Sequence, residues 1–225
     1  MIVDSMTYDE ILDLYWADKP LVNHKMDAGS KFYGRMLKNA RVKDRIHYKP
    51  IKFKSQRGFN YVMMFFSLAD DVPGKERLGC NYYAWFIKNR GMYAITLSTI
   101  NRTEYHNTIY HPHFFERYRE RFLKDMSMSK PEVLHTYITN NPKSLSSKIP
   151  SAKYEGEYWM AVHDGLCLCR VVKGSLVEVK TFITWEMAGH DQKEFAFMGR
   201  QIMLERGFDV SLPDEDFEEF TKVEE

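Results

Sequence analysis

Residues 157–184 read EYWMAVHDGLCLCRVVKGSLVEVKTFIT, and how this stretch folds decides the fold class. It is rich in β-branched and aromatic residues, it alternates apolar with polar, and turn signals break it twice. Asp164-Gly165 is a strong two-residue hairpin signal, and Lys173-Gly174-Ser175 supplies a second turn. The expectation is a three-stranded antiparallel meander. With Asp164-Gly165 as the turn, Val162 lies opposite Cys167, Met160 opposite Cys169 and Tyr158 opposite Val171. A three-residue second loop sets Val171 against Val177 and Cys169 against Val179, with Thr181 and Ile183 next on that apolar face. A two-residue second loop would drive Glu178 and Lys180 into the core, and that charge burial excludes it. The opposite face carries Trp159, His163, Leu168, Arg170, Glu178, Lys180 and Phe182, with Arg170 across from Glu178. Cys167 and Cys169 point together into the apolar side. With no second pair of ligands they read as small buried hydrophobes rather than a zinc site.

Working upstream, Ser129-Lys-Pro-Glu132 is a capping box that starts a helix through Val133, Leu134, Tyr137 and Ile138, ended by Asn140-Asn141-Pro142. Before it, YHPHFFERYRER (residues 110–121) predicts a helix with Pro112 at its first position and His111 as N-cap, burying Phe114, Tyr118 and Phe122. Phe59–Leu68, Cys80–Ile87 and Met92–Ile100 read as strands. The last two are joined by Asn89-Arg90-Gly91, where the glycine is expected to take the positive φ of a tight hairpin. Asp70–Gly79 reads as a loop around Pro73-Gly74. Thr7–Glu10 is a further capping box, and a second short helix is expected over Lys31–Lys38. Trp185–Arg206 returns to helical spacing, with Gly207 as its stop. The fold class predicted is α+β: an antiparallel sheet with a hairpin before and a three-stranded meander after a central helical pair, short N-terminal helices and a C-terminal helix. The expected organisation is an N-terminal helical segment (1–45), a core domain (46–206) and an acidic tail (207–225).

The 225 residues, 44% hydrophobic and 28% charged, are enough to bury a full core. No apolar run is long enough for a membrane span, and the opening MIVDSMTYDE lacks the pattern of a signal peptide. Three cysteines fit a reducing compartment, so the expectation is a cytoplasmic chain with no membrane partner. Net charge is +1, but residues 204–225 hold nine acidic and two basic side chains, a net of −7, leaving +8 on the rest. A basic body suits a polyanion such as RNA, and the acidic tail is either a solvating segment or an internal brake.

His113, Arg117 and Arg121 recur every four residues, each about 40° further round a regular helix, and form a basic ridge beside the buried aromatics. At a helix N-terminus the backbone field favours an anion and disfavours imidazolium. A neutral His113 could then take a proton while Arg117 and Arg121 hold phosphate oxygens, the chemistry of metal-free RNA cleavage by the ribose 2′-hydroxyl. The structural alternative is a solvated face laced by the i,i+3 pairs Glu116–Arg119 and Arg117–Glu120. His163, Trp159, Arg170 and Glu178 on the meander make a second candidate surface: a base-stacking ring, a phosphate ligand and a His/Glu proton-transfer pair. A metal reading through His111, His113 and Glu116 lacks the spacing of a strong motif, and nothing calls for a cofactor.

The order of basic helix with H-x3-R-x3-R (His113, Arg117, Arg121), second helix, glycine-turn meander and final strand ending Lys180-Thr-Phe-Ile-Thr184 resembles the barnase–EndoU–colicin–RelE ribonuclease superfamily over about residues 105–185. The resemblance implies RNA cleavage without metal, with His113, Arg117, Arg121, Arg170, Lys180 and Thr181 as the positions to carry over. Thr181 falls on the expected core face, and the first hundred or so residues have no counterpart in the small toxins of that family. The expected function is therefore nucleic-acid-directed, in its sharpest form a metal-independent endoribonuclease of toxin type. In that form His113, His163 and Glu178 are catalytic, and Arg117, Arg121, Trp159, Arg170 and Lys180 bind RNA. The rival is a non-catalytic binding or assembly protein with a protein partner.

Overall fold

The computed structural model describes residues 1–38, 47–68, 77–100, 104–142, 144–148, 157–173, 176–205 and 212. The Pro73-Gly74 loop, the Gly174-Ser175 turn, the Gly207 stop and residues 213–225 lie outside them. The chain is α+β and mostly antiparallel, and its contacts divide it into two compact units, Met1–Leu97 and Ser98–Glu225. Among the described residues no helix is long and apolar enough to cross a membrane.

In the first unit, helices α1 (Tyr8–Ala17) and α2 (Lys19–Lys38) accompany strands β1 (Ile51–Lys54), β2 (Asn60–Leu68), β3 (Arg77–Lys88) and most of β4 (Gly91–Ile100). The strands pair antiparallel in that order. The Thr7/Glu10 capping box forms as expected: the Glu10 amide donates to Thr7 Oγ1 at 3.3 Å, and the Thr7 amide donates to Glu10 Oε2 at 2.7 Å. Helix α2 is twenty residues long, not the single short segment at Lys31–Lys38. Its buried row is Val22, Gly29, Tyr33 and Leu37, in which a glycine stands where the pattern calls for a side chain. Gly29 is needed there, since a Cβ would sit 2.4 Å from Phe65 Cζ. The β3–β4 turn also corrects the expectation. Asn89 (φ 50°) and Arg90 (φ 60°) take the left-handed conformations, and Gly91 is already the first strand residue opposite Lys88.

In the second unit come β5 (Glu104–Tyr110), α3 (Pro112–Tyr118), a π-helical turn (Arg119–Leu123), α4 (Lys130–Asn140), β6 (Ser144–Lys148), β7 (Glu157–Val162), β8 (Gly165–Lys173), β9 (Leu176–Ile183), a 3-10 turn (Trp185–Met187) and α5 (His190–Glu205). The strand order is β5-β9-β8-β7-β6. The hairpin, helical pair and meander are present in the expected sequence, but β5 and β6 add a strand at each side, and β5 runs parallel to β9. The expected final helix from Trp185 is a 3-10 turn followed by α5.

The meander's register is corrected in two places. The first turn is His163-Asp164, not Asp164-Gly165, so Val162 pairs with Gly165, Met160 with Cys167 and Tyr158 with Cys169. The glycine serves a different purpose: its φ is 155°, and a Cβ would meet the Ile183 carbonyl oxygen at 2.3 Å. Beyond the second loop, Val171 faces Val177 and Cys169 faces Val179, as expected. A bulge then places Lys180 as an extra residue, so Leu168 pairs with Thr181 and Cys167 with Phe182. One added residue exchanges the faces of everything after it. Phe182, not Thr181, therefore joins the core, fully buried.

Helices α3 and α4 cover the Cys167/Phe182 face. Phe114, Phe115, Tyr118, Val133, Leu134 and Tyr137 are all buried, with Tyr118 and Phe182 ring centroids 5.0 Å apart and Phe114 and Tyr137 4.8 Å apart. Each such ring contributes about 1.5–3 kcal/mol by burial. Phe122 is only partly buried. The other face is not an open surface. Ala161, Leu166, Trp185, Ala196, Leu145 and Leu212 form a second cluster on it, and Trp159 packs against Phe195 of α5 at 5.8 Å.

Candidate functional site

The His113/Arg117 part of the ridge is an exposed ion network. His113 Nε2 accepts from Arg117 Nε at 3.2 Å, while its Nδ1 lies 3.8 Å from Glu116. Arg117 pairs with Glu120 at 2.7 Å, and Lys130 pairs with Glu116 at 2.8 Å. The Glu116 carboxyl is held below its usual range, chiefly by the Lys130 hydrogen bond. His113 and Arg117 therefore already answer each other and their acidic neighbours.

Arg121 departs from that ridge because the helix changes pitch beneath it. The Lys124 amide donates to the Arg119 carbonyl at 2.9 Å, an i→i+5 bond, and Lys124 closes the turn in the left-handed conformation at φ 53°. Arg121 is thereby turned toward β9, and its Nη1 donates to the Phe182 carbonyl at 2.5 Å. There it lines a pocket of about 230 Å³ together with Lys124, His163, Asp164, Trp185 and Glu186, the remaining walls being Phe122 and Thr184. Arg121 and His163, expected on separate surfaces, come together at the end of the first meander hairpin.

The pocket floor is rigid for identifiable reasons. Asp164, 5% exposed, accepts from the Tyr118 hydroxyl at 2.5 Å and from Asn141 Nδ2 at 2.8 Å, and its amide donates to Asn141 Oδ1 at 3.0 Å. Burial first, then the Asp164 carboxylate, push the Tyr118 phenol well above its ordinary range, so it remains a donor. Trp185 Nε1 donates to the His163 carbonyl at 2.9 Å, which fixes the turn from the other side. These bonds explain why the hairpin turns at His163-Asp164: Tyr118 of α3 and Asn141, just past α4, hold the aspartate. Lys124 and the half-buried Arg121 are the cations of the opening. His163 and Glu186 are exposed titratable groups beside them.

The other expected residues lie elsewhere. Glu178 is across from Arg170, but its carboxylate meets His111 Nε2 at 2.6 Å. Neither the N-cap reading of His111 nor the metal reading with His113 and Glu116 anticipated this pair. Its backbone does have the cap geometry, φ −77° and ψ 154°, while its side chain reaches β9. Arg170 is exposed and lies opposite Glu157 of β7 in the strand register, Lys180 sits at the bulge, and Trp159 is half-buried beside α5. Lys124, Asp164 and Glu186 escaped the reading. The Asp-Gly pair was a visible signal, but it spoke of a turn, not a side chain drawn inward.

Chemically, the pocket offers two cations for an anionic group and an imidazole and carboxylate for proton transfer. The thiols offer little. Burial pushes Cys167 up to about 12 and Cys169 well above the usual range. No family model matches this chain, and no curated protein or solved structure matches it either.

Proposed function

We propose that this is a nucleic-acid-directed protein that holds an RNA phosphate in the Arg121–Lys124–His163 pocket. One observation carries the reading: the π-helical turn delivers Arg121 and Lys124 to the same opening as His163. Arg121 has further guanidinium N–H groups besides the one given to Phe182, in the fork geometry suited to phosphate oxygens. Lys124 adds a point charge. Asp164 and Glu186 both oppose an anion, though the Asp164 carboxylate is turned inward to Tyr118 and Asn141. The +8 on residues 1–203 supplies a longer-range attraction. The partial resemblance to the ribonuclease superfamily points the same way.

The test is fluorescence anisotropy with a labelled single-stranded RNA. Arg121→Lys with Lys124→Gln removes the fork and one charge without emptying the wall. We expect binding to weaken about tenfold and the slope of log affinity against log salt to fall by about 0.7 per lost phosphate contact. Equal affinity and slope would exclude this pocket as the phosphate site.

A second reading, metal-independent cleavage, is favoured by His163 and Glu186 standing beside the two cations. Incubation with total RNA in EDTA separates it from simple binding. Cleavage lost in His163→Ala and kept in His113→Ala supports it, and the absence of any cleavage by wild type leaves the binding function alone.

A further inference from the structure

Charge is spread unevenly over the chain. Residues 1–97 hold sixteen basic and ten acidic side chains, a net of +6, and so carry most of the +8 found on residues 1–203. From Arg45 to Ala69 there are five basic residues and no acidic one, and strands β1, β2, β3 and β4 contain no acidic residue at all. The strand register decides where part of that charge stands. Lys52 lies opposite Val62 and Lys54 opposite Asn60, while Val62 lies opposite Tyr83 and Asn60 opposite Trp85. Opposed residues share a face of a sheet, as do residues two apart along a strand. Lys52, Lys54, Asn60, Met64, Phe66 and Trp85 are therefore on one face. The helices cover the other: Tyr15 of α1 stacks on Tyr61, Tyr33 of α2 lies 5.2 Å from Phe65, and Lys25 of α2 sits over Phe53. Strand β1 ends the sheet, and both its lysines are exposed. Phe66 and Trp85 are partly exposed, with Val62 and Tyr83 buried between them. The Phe66 ring lies over Gly79, where an added Cβ would come within 2.4 Å of its Cε2.

We infer, on the strength of the nucleic-acid reading proposed above, that this face is a second contact surface, with phosphates at Lys52 and Lys54 and bases against Phe66 and Trp85. Cations that track a backbone beside rings that accept any base are what sequence-tolerant binding of a single strand requires. The two lysines are about 7 Å apart along β1, and Trp85 is two strands, about 10 Å, from Lys54. Because the rings need unpaired bases, the ligand class is single-stranded RNA rather than a duplex. The competing role for the lysines is to keep an end strand from pairing with another chain.

The test titrates the full chain with a labelled single-stranded RNA and with an abasic strand of the same length. Lys52→Gln with Lys54→Gln is expected to weaken both about tenfold and to lower the slope of log affinity against log salt by about 1.4. Phe66→Leu with Trp85→Leu is expected to weaken RNA about tenfold and the abasic strand hardly at all. On the wild type, amide shifts at Lys52, Lys54, Phe66 and Trp85 are expected with RNA, a reading that does not depend on how well the ring variant folds. Unmoved resonances there, or a ring effect as large on the abasic strand, overturn the inference. A lysine variant that self-associates with unaltered RNA affinity assigns the lysines to edge protection and overturns it too. These failures leave the Arg121–Lys124 pocket standing. Losses here with none from Arg121→Lys and Lys124→Gln uphold this surface and refute the pocket, and a wild type that binds neither strand refutes both.

Discussion

Tyr118 and Asp164 carry the heaviest structural duty in the pocket. A phenol fully buried beneath a buried carboxylate cannot be exchanged for a ring without a hydroxyl at no cost. Tyr118→Phe leaves Asp164 with Asn141 as its remaining side-chain donor, and we expect a loss of about 1–3 kcal/mol in denaturant-measured stability. An unchanged midpoint would mean that the hydroxyl contributes nothing. The cysteines give a separate check. Cys167 and Cys169 are buried, while Cys80 is partly exposed with its thiol pushed up to about 11 by burial. Since the thiolate reacts and its fraction grows with pH up to the pKa, Cys80 alone should be alkylated in the native state. Its rate should rise about tenfold per unit between pH 8 and pH 10. Modification of Cys167 or Cys169 at the same rate would contradict the core described above.

Turns and pitch changes, more than helices or strands, separate what could be read from residue order from what could not. The alternation of the meander, its apolar face around Cys167 and Cys169, and the Val171–Val177 pairing were legible because period-two patterning and charge burial constrain them. The Lys180 bulge was not, since one extra residue leaves no local composition signal yet moves Phe182 into the core. Arg121 was legible as a candidate but not as a pocket residue. A constant 100° step places it behind Arg117, and only the i→i+5 turn redirects it. Helix α2 was half hidden because Gly29 breaks its apolar row to admit Phe65. Two substitutions test these turns. Arg90→Gly relieves a left-handed non-glycine residue and should stabilise by up to about 1 kcal/mol, net of the entropy that glycine adds to the unfolded chain. Gly165→Ala places a Cβ against the Ile183 carbonyl and should destabilise by about 1–3 kcal/mol. Thermal unfolding of both reads the opposite signs, and a destabilised Arg90→Gly would refute the turn assignment.

Taken together, the second unit encloses its sheet between α3–α4 and α5, which leaves the hairpin end as a place where charged side chains from three elements meet. The exposed His113–Arg117–Glu116 network is self-paired, the His111–Glu178 pair is internal to the β5–β9 junction, and the pocket brings Arg121 and Lys124 to one opening. The RNA-directed role proposed above rests on that pocket. It is tested by titrating isotope-labelled protein with a short single-stranded RNA and mapping the amide shifts. The expected result is a contiguous set of shifts at Arg121–Lys124, His163–Asp164 and Thr184–Glu186, with His113 and Arg117 nearly still. Shifts centred on the His113 ridge, or none at RNA concentrations that saturate nonspecific binding, would contradict the assignment of this pocket.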